Sequence, residues 1–192
     1  MVAMVLVAAF GIFALGLRGW VHWRRTGDTP FRGTDGMSGV MAMVLALLAY
    51  LAGPVLDVTD VVPRLVGARW LTGLGVALAV AGIAGTLWAQ FAMGESWRVG
   101  VDTEERTALV TSGPFRWVRN PIYTAMLVFS VGLTLVVPNV ASVAALVAIV
   151  STLEYHVRAV EEPYLVRVHG TEYTRWASHA GRFLPGLGRF AQ

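Results

Sequence analysis

The chain has 192 residues, 56% of them hydrophobic and 14% charged, with a mean hydropathy of +0.62 and a formal net charge of +3. A soluble domain of this length cannot carry so much apolar surface, so the sequence is that of an integral membrane protein. It has no cysteine and no lysine, which excludes disulfides, thiolate nucleophiles, cysteine metal sites, a Walker-type phosphate lysine and Schiff-base chemistry.

Five apolar segments follow in order, and a hydrocarbon core of about 30 Å requires about 20 helical residues for each crossing. The first runs from Val2 to Trp23, the second from Gly39 to Leu56 and the third from Trp70 to Met93, each long enough to span. The fourth, Pro121 to Val137, and the fifth, Val140 to Leu153, are shorter and separated only by Pro138-Asn139. That turn pair predicts a tight antiparallel helical hairpin, whose short arms bring their polar ends close to the lipid tails. In the first segment the first basic residue, Arg18, follows the apolar run, and no small-residue cleavage site comes after it. It therefore reads as a retained helix rather than a secretion signal. The expected fold is all-α: an integral membrane bundle of five transmembrane helices, the last two a tight hairpin, followed by a cytoplasmic C-terminal helical segment. Residues 1–93 would hold the three N-terminal helices. Residues 94–192 would form a catalytic region made of a loop, the hairpin 121–153 and the closing C-terminal segment.

The fifteen basic residues, all arginine, set the orientation. Arg18, Arg24, Arg25 and Arg32 follow the first segment; Arg98, Arg106, Arg116 and Arg119 lie between the third and fourth; five more follow the fifth. Only Arg64 and Arg69 fall on the other side. The positive-inside rule then puts the N-terminus outside and the long polar loops and C-terminus in the cytoplasm, with a bacterial or archaeal plasma membrane as the expected location. The net positive charge suits anionic lipid head groups rather than nucleic acid. Gly75 with Ala79 and Ala81 with Gly85, at four-residue spacing in the third segment, read as a close-packing helix face. Trp20, Trp23, Trp70 and Trp97 read as interfacial anchors.

Polar chemistry is left to the loop from Gly94 to Asn120 and the tail from Glu154 to Gln192, which hold most of the acidic residues. At the edge of the fourth segment stands Gly113-Pro-Phe-Arg-Trp-Val-Arg-Asn-Pro-Ile-Tyr123. Arginine at that depth is costly unless it meets water, a head group or an anion. In the tail, Arg158 is spaced to pair with Glu161 or Glu162 on one helix face. Gly170 is expected to end that helix, with Thr171 capping the next.

Leu109-Val-Thr-Ser-Gly-Pro-Phe-Arg-Trp-Val-Arg-Asn-Pro-Ile-Tyr123, then a helical hairpin, Glu161-Glu-x-x-Leu165, Gly170-x-x-Tyr173 and Arg182-Phe-x-Pro185 together resemble the isoprenylcysteine carboxyl methyltransferase family and its phospholipid methyltransferase relatives. The resemblance covers about the second half of the chain. It implies a membrane methyltransferase that uses S-adenosylmethionine, held between the hairpin's cytoplasmic ends and the C-terminal segment. In keeping with this, no strand, Gly-rich turn and helix of the Rossmann kind can be read. Carried over by position, the cofactor contacts fall on Leu109, Val110, Phe115, Asn120, Pro121, Ile122, Tyr123 and Glu161. The family usually has His at Asn120, and Asn can donate and accept hydrogen bonds but carries no charge.

Methyl transfer from a sulfonium needs alignment more than a nucleophile. The resemblance gives Glu161 to the cofactor's amino or hydroxyl groups and Phe115 and Tyr123 to its adenine. Arg158 would grip a substrate carboxylate as a fork; were the acceptor an amine or hydroxyl, Glu162 or His156 would serve as base. The expected acceptor is a lipophilic small molecule, with a carboxylate of an isoprenoid or prenylcysteine-like compound foremost, among membrane lipids and with no metal or nucleic acid. Two alternatives stand beside it. One is an NADPH-dependent sterol-type reductase of similar architecture, with Arg116 and Arg119 on the phosphates, against which the Glu161-Glu162 pair argues. The other is a non-enzymatic membrane protein that keeps the fold.

Overall fold

The computed structural model describes residues 1–29, 37–97 and 108–190. Regular structure among these residues is helical, apart from a parallel bridge between Val118 and Gly181. Helix α1 spans Val2–Thr26, with a π-helical stretch at Gly11–Leu17. Helix α2 is Met37–Val58, α3 Arg69–Ala92 and α4 Pro121–Val136. Helix α5 is Val140–His169, with a π turn at Val157–Glu161, and α6 is Thr171–Ala177. Three of these, α1, α3 and α5, are long and apolar enough to cross a membrane, while Val44–Val58 of α2 and the whole of α4 are shorter apolar helices. Arg32, Arg98 and Arg106, which contribute to the charge asymmetry, lie outside the described residues.

Small residues bring α3 against α4. Gly75, Ala79 and Gly82 are buried on α3, and a Cβ on Gly82 would stand 2.6 Å from the Phe129 amide nitrogen of α4. From the other side, a Cβ on Gly132 would stand 2.5 Å from the Ala79 nitrogen. Lipid tails are as apolar as leucine, so helices gain little by hiding apolar surface from them; close backbone approach and dispersion hold the seam. Phe129, fully buried, stacks on Phe10 of α1 at 4.5 Å and meets Tyr50 of α2 edge-on at 5.4 Å. One ring thus ties two other helices, α1 and α2, to α4. The α1 side of this contact is a stripe of Ala3, Leu6, Phe10, Ala14, Arg18 and His22, at the three- and four-residue steps of one helix face.

The two ends of the bundle differ in charge. At one end the Leu65 amide donates to the Pro138 carbonyl at 2.7 Å, and Asp57 pairs with Arg64 at 2.6 Å. Asn139 caps α5 there by accepting from the Ser142 amide at 2.8 Å, and its own amide donates to the Gly53 carbonyl at 3.1 Å. At the other end buried Arg18 donates to the Gly94 and Gln90 carbonyls at 2.5 and 3.3 Å, between the rings of Trp97 and Phe91. Arg119, Arg158 and Arg182 gather at that same end.

Several local expectations are corrected. The fifth segment does not stop at Leu153 but runs on as helix to His169. No breaker intervenes until Pro163, which lacks the N–H that would bond four residues back and whose ring crowds that carbonyl. The chain accommodates it by the π turn immediately before, closed by the Glu162 amide on the Val157 carbonyl. Gly170 does end α5, but Gly170 itself, at φ +53°, is also the N-cap of α6, and no side chain caps that helix. Thr171 instead offers its carbonyl to the Thr174 hydroxyl.

Candidate active site

The tail returns to the start of α4 and lies alongside it. The Arg119 amide donates to the Gly181 carbonyl at 2.7 Å, the Asn120 amide to the Arg182 carbonyl at 3.1 Å, and the Gly181 amide to the Trp117 carbonyl at 3.1 Å. The Asn120 side-chain amide donates to the Arg182 carbonyl as well, at 3.1 Å, and the Thr124 hydroxyl donates to the Phe183 carbonyl at 2.7 Å. Two sequence motifs about sixty residues apart therefore become one short parallel pairing at the mouth of α4.

Arg119 fastens this pairing from inside. Its guanidinium donates to the Ala177, Ala180 and Gly188 carbonyls at 3.0, 2.6 and 2.8 Å and to Glu162 Oε1 at 2.7 Å, with Phe190 stacked 5.0 Å away. Arg182 clasps the same carboxylate, reaching Oε1 at 2.8 Å and Oε2 at 3.0 Å, and extends to Glu154 at 3.3 Å. Arg158 completes the chain by pairing with Glu154. The hydrogen bond to Glu162 holds the Arg182 guanidinium above its usual pKa. Beside this cluster, burial, helped by the Glu162 charge and opposed by Arg119, pushes the Tyr173 phenol up to about 12.

The expected pairing of Arg158 with Glu161 or Glu162 does not form. The π turn alters the phase of the helix between them, so that Arg158 looks back to Glu154 while Glu162 faces Arg119 and Arg182. The arginines of the 113–123 stretch also part company: Arg116 lies against Trp117, whereas Arg119 is 5% exposed and has both terminal guanidinium nitrogens engaged by protein groups. An arginine so occupied is not available to cofactor phosphates, so of the two arginines the reductase alternative assigned to them only Arg116 is left.

Of the sequence-predicted positions, the structure joins Tyr123 and Glu161 directly. The Tyr123 hydroxyl donates to Glu161 Oε1 at 2.5 Å, and His156 Nε2 lies 3.2 Å from the same oxygen. Phe115 is buried, its carbonyl accepting from the Trp176 indole at 3.1 Å. Pro121 is buried as the first residue of α4, where its missing N–H costs nothing, and Ile122 is half-buried beside it. Leu109 and Val110 are half-buried on the approach to the Gly113–Arg116 turn. Arg158 stands apart, its side chain 60% exposed. The roles of Arg119, Arg182 and Glu154 as one clasp were not anticipated. The signal was present in Arg182-Phe-x-Pro185, whose arginine needed a partner that the helical spacing did not supply.

This is the architecture of the intramembrane methyltransferases. The chain superposes on the structure of the eukaryotic intramembrane Ras methyltransferase, isoprenylcysteine carboxyl methyltransferase, with a TM-score of 0.66, covering 97% of this chain and 69% of that one at 19% identity. The phospholipid methyltransferase family model matches residues 70–172, and the chain belongs to that family. Among its relatives are protein-S-isoprenylcysteine O-methyltransferases A and B of Arabidopsis thaliana, 28% and 26% identical over 147 residues, which make up 76% of this chain and 72% of each of theirs. The protein is an integral membrane methyltransferase, and as such it takes its methyl group from a donor molecule.

Proposed function

We propose that the chain transfers the methyl group of S-adenosylmethionine to a carboxylate of a lipophilic, prenylcysteine-like acceptor at the cytoplasmic face of the membrane. In this reading the chain crosses five times, with α4 and α5 as a hairpin, and the motif segments lie at that face. Residues 1–93 serve as scaffold and 94–192 as the catalytic region. The observation that carries this reading is the contact of Tyr123 with Glu161, which closes the mouth of α4 against α5 with a carboxylate whose side chain remains 18% exposed. A carboxylate and a phenol beside apolar walls suit an ammonium and ribose hydroxyls better than a polyphosphate.

Leu109, Val110, Phe115, Asn120, Pro121, Ile122 and Tyr123 would line the cofactor's site and Glu161 would accept from its hydroxyl or amino groups. Bound there, S-adenosylmethionine supplies a methyl group already activated by its sulfonium. The chain's own work is alignment, which contributes up to about 7–11 kcal/mol when geometry is well held. Arg158 fits the acceptor's carboxylate, since an exposed guanidinium can exchange Glu154 for a ligand at little cost. Glu162, named above as a candidate base, has both oxygens taken by arginines and fits the role of the clasp that fixes the tail. A carboxylate acceptor needs no base, because it is already deprotonated at neutral pH.

Supporting the acceptor class are the names of the Arabidopsis thaliana relatives, which act on S-isoprenylcysteine. The test is tritium transfer from labelled S-adenosylmethionine into small prenylated thiols and extracted membrane lipids, comparing the wild type with Glu161→Ala. Base-labile counts in the prenylated thiol, lost in the variant, are expected. Base-stable counts confined to lipid amines would replace the carboxylate by an amine.

A further inference from the structure

His156 and Glu161 are five residues apart on one continuous helix, yet His156 Nε2 and Glu161 Oε1 are 3.2 Å apart. In an α-helix such residues are separated by about 140° around the axis and face different ways. The contact exists because Val157–Glu161 is a π turn, in which hydrogen bonds close five residues back and residues at that spacing are stacked. The same change of phase aims Glu161 at α4, where the Tyr123 hydroxyl donates to the same oxygen.

Resting on the reading that Glu161 holds the cofactor, we propose that His156 is a positioning residue: with the π turn, it orients the Glu161 carboxylate for its ligand. Glutamate has three rotatable side-chain bonds and gives up rotamer freedom when it is fixed. One donor, Tyr123, pins an oxygen but leaves the carboxylate plane free to turn about it. A second polar contact to that oxygen, from His156 Nε2 at 3.2 Å, restricts this turning and leaves Oε2 as the oxygen presented to a hydroxyl or ammonium. The imidazole must carry its proton on Nε2 to donate here. Core packing is a poor explanation for His156, because its side chain is 36% exposed.

The full chain in detergent distinguishes these roles by direct titration with S-adenosylmethionine and with its demethylated product, alongside thermal melting. His156→Leu is expected to weaken both ligands about three- to tenfold, the loss of one pre-ordered side chain, while the melting temperature hardly moves. His156→Gln, whose amide N–H can reach Oε1, is expected to return the affinity to about the wild-type value. In a Glu161→Ala background His156→Leu should add nothing, since the two act through one carboxylate. Unchanged affinity in His156→Leu, with Glu161→Ala still weakened, overturns the positioning role and leaves the Glu161 assignment standing. Unchanged affinity in Glu161→Ala overturns that assignment itself. A His156→Leu loss that Gln does not restore, or that persists without Glu161, also rejects the inference.

Discussion

The Arg119 guanidinium meets Glu162 Oε1 at 2.7 Å with only 1% and 8% of the two side chains exposed. Around this pair charges alternate outward from the interior through Arg182 and Glu154 to Arg158. The inner end weighs more on stability than the water-exposed outer end, because the worth and cost of an ion pair both grow as water is removed.

Glu162→Ala strands the buried Arg119 guanidinium without its carboxylate. The expected destabilisation is about 3–5 kcal/mol, as for a broken buried pair. Thermal melting in detergent reads it, and a variant that melts with the wild type would show that the backbone carbonyls alone satisfy Arg119.

At the outer end, Arg158→Ala is expected to cost at most about 1 kcal/mol of stability. Its effect should fall on catalysis: a raised KM for the carboxylate acceptor with the cofactor's Kd nearly unchanged. Equal losses in both would place Arg158 at the cofactor instead.

Gly132→Ala inserts a methyl group 2.5 Å from the Ala79 amide, where only backbone can give way. Overpacking of this kind costs about 1–3 kcal/mol. Gly73→Ala on α3, with no atom within 4 Å of the added carbon, is the control. It should be neutral or slightly stabilising, since alanine is the better helix former. Matching melting temperatures for the two variants would contradict the close α3 to α4 seam.

Tyr173 has its phenol raised to about 12 in the folded chain from the ordinary 10.0. Below about pH 10 both folded and unfolded chains keep the proton, and stability is unaffected. Between about 10 and 12 only the unfolded chain releases it, so stability falls as pH rises, by about 3 kcal/mol in all. The phenolate absorbance that appears near pH 12 should fall by one tyrosine's worth in Tyr173→Phe, and that variant should lose less stability over the same pH range.

The membrane character, the apolar segments and the motifs at the start of α4 and in the tail were legible because each is local. Hydropathy accumulates along a segment, and Gly113-Pro to Asn120-Pro-Ile-Tyr123 is a contiguous string. The partners of Glu161 and Glu162 were not legible. Spacing predicts neighbours only if the helical phase is known, and the π turn before Pro163 shifts that phase within the motif itself. A charged residue read singly also gives no sign of its depth, so Arg116 and Arg119, three positions apart, looked alike.

The amino-acid order by itself determined that this chain lives in a membrane, that its helices are apolar and closely packed through small residues, and that its polar residues gather at one end. Tertiary structure alone decided which arginine became the interior clasp and which carboxylate stayed accessible. The reason is physical: apolar periodicity is satisfied within one helix, whereas a charge is settled only by the groups that several elements bring around it and by the water they shut out.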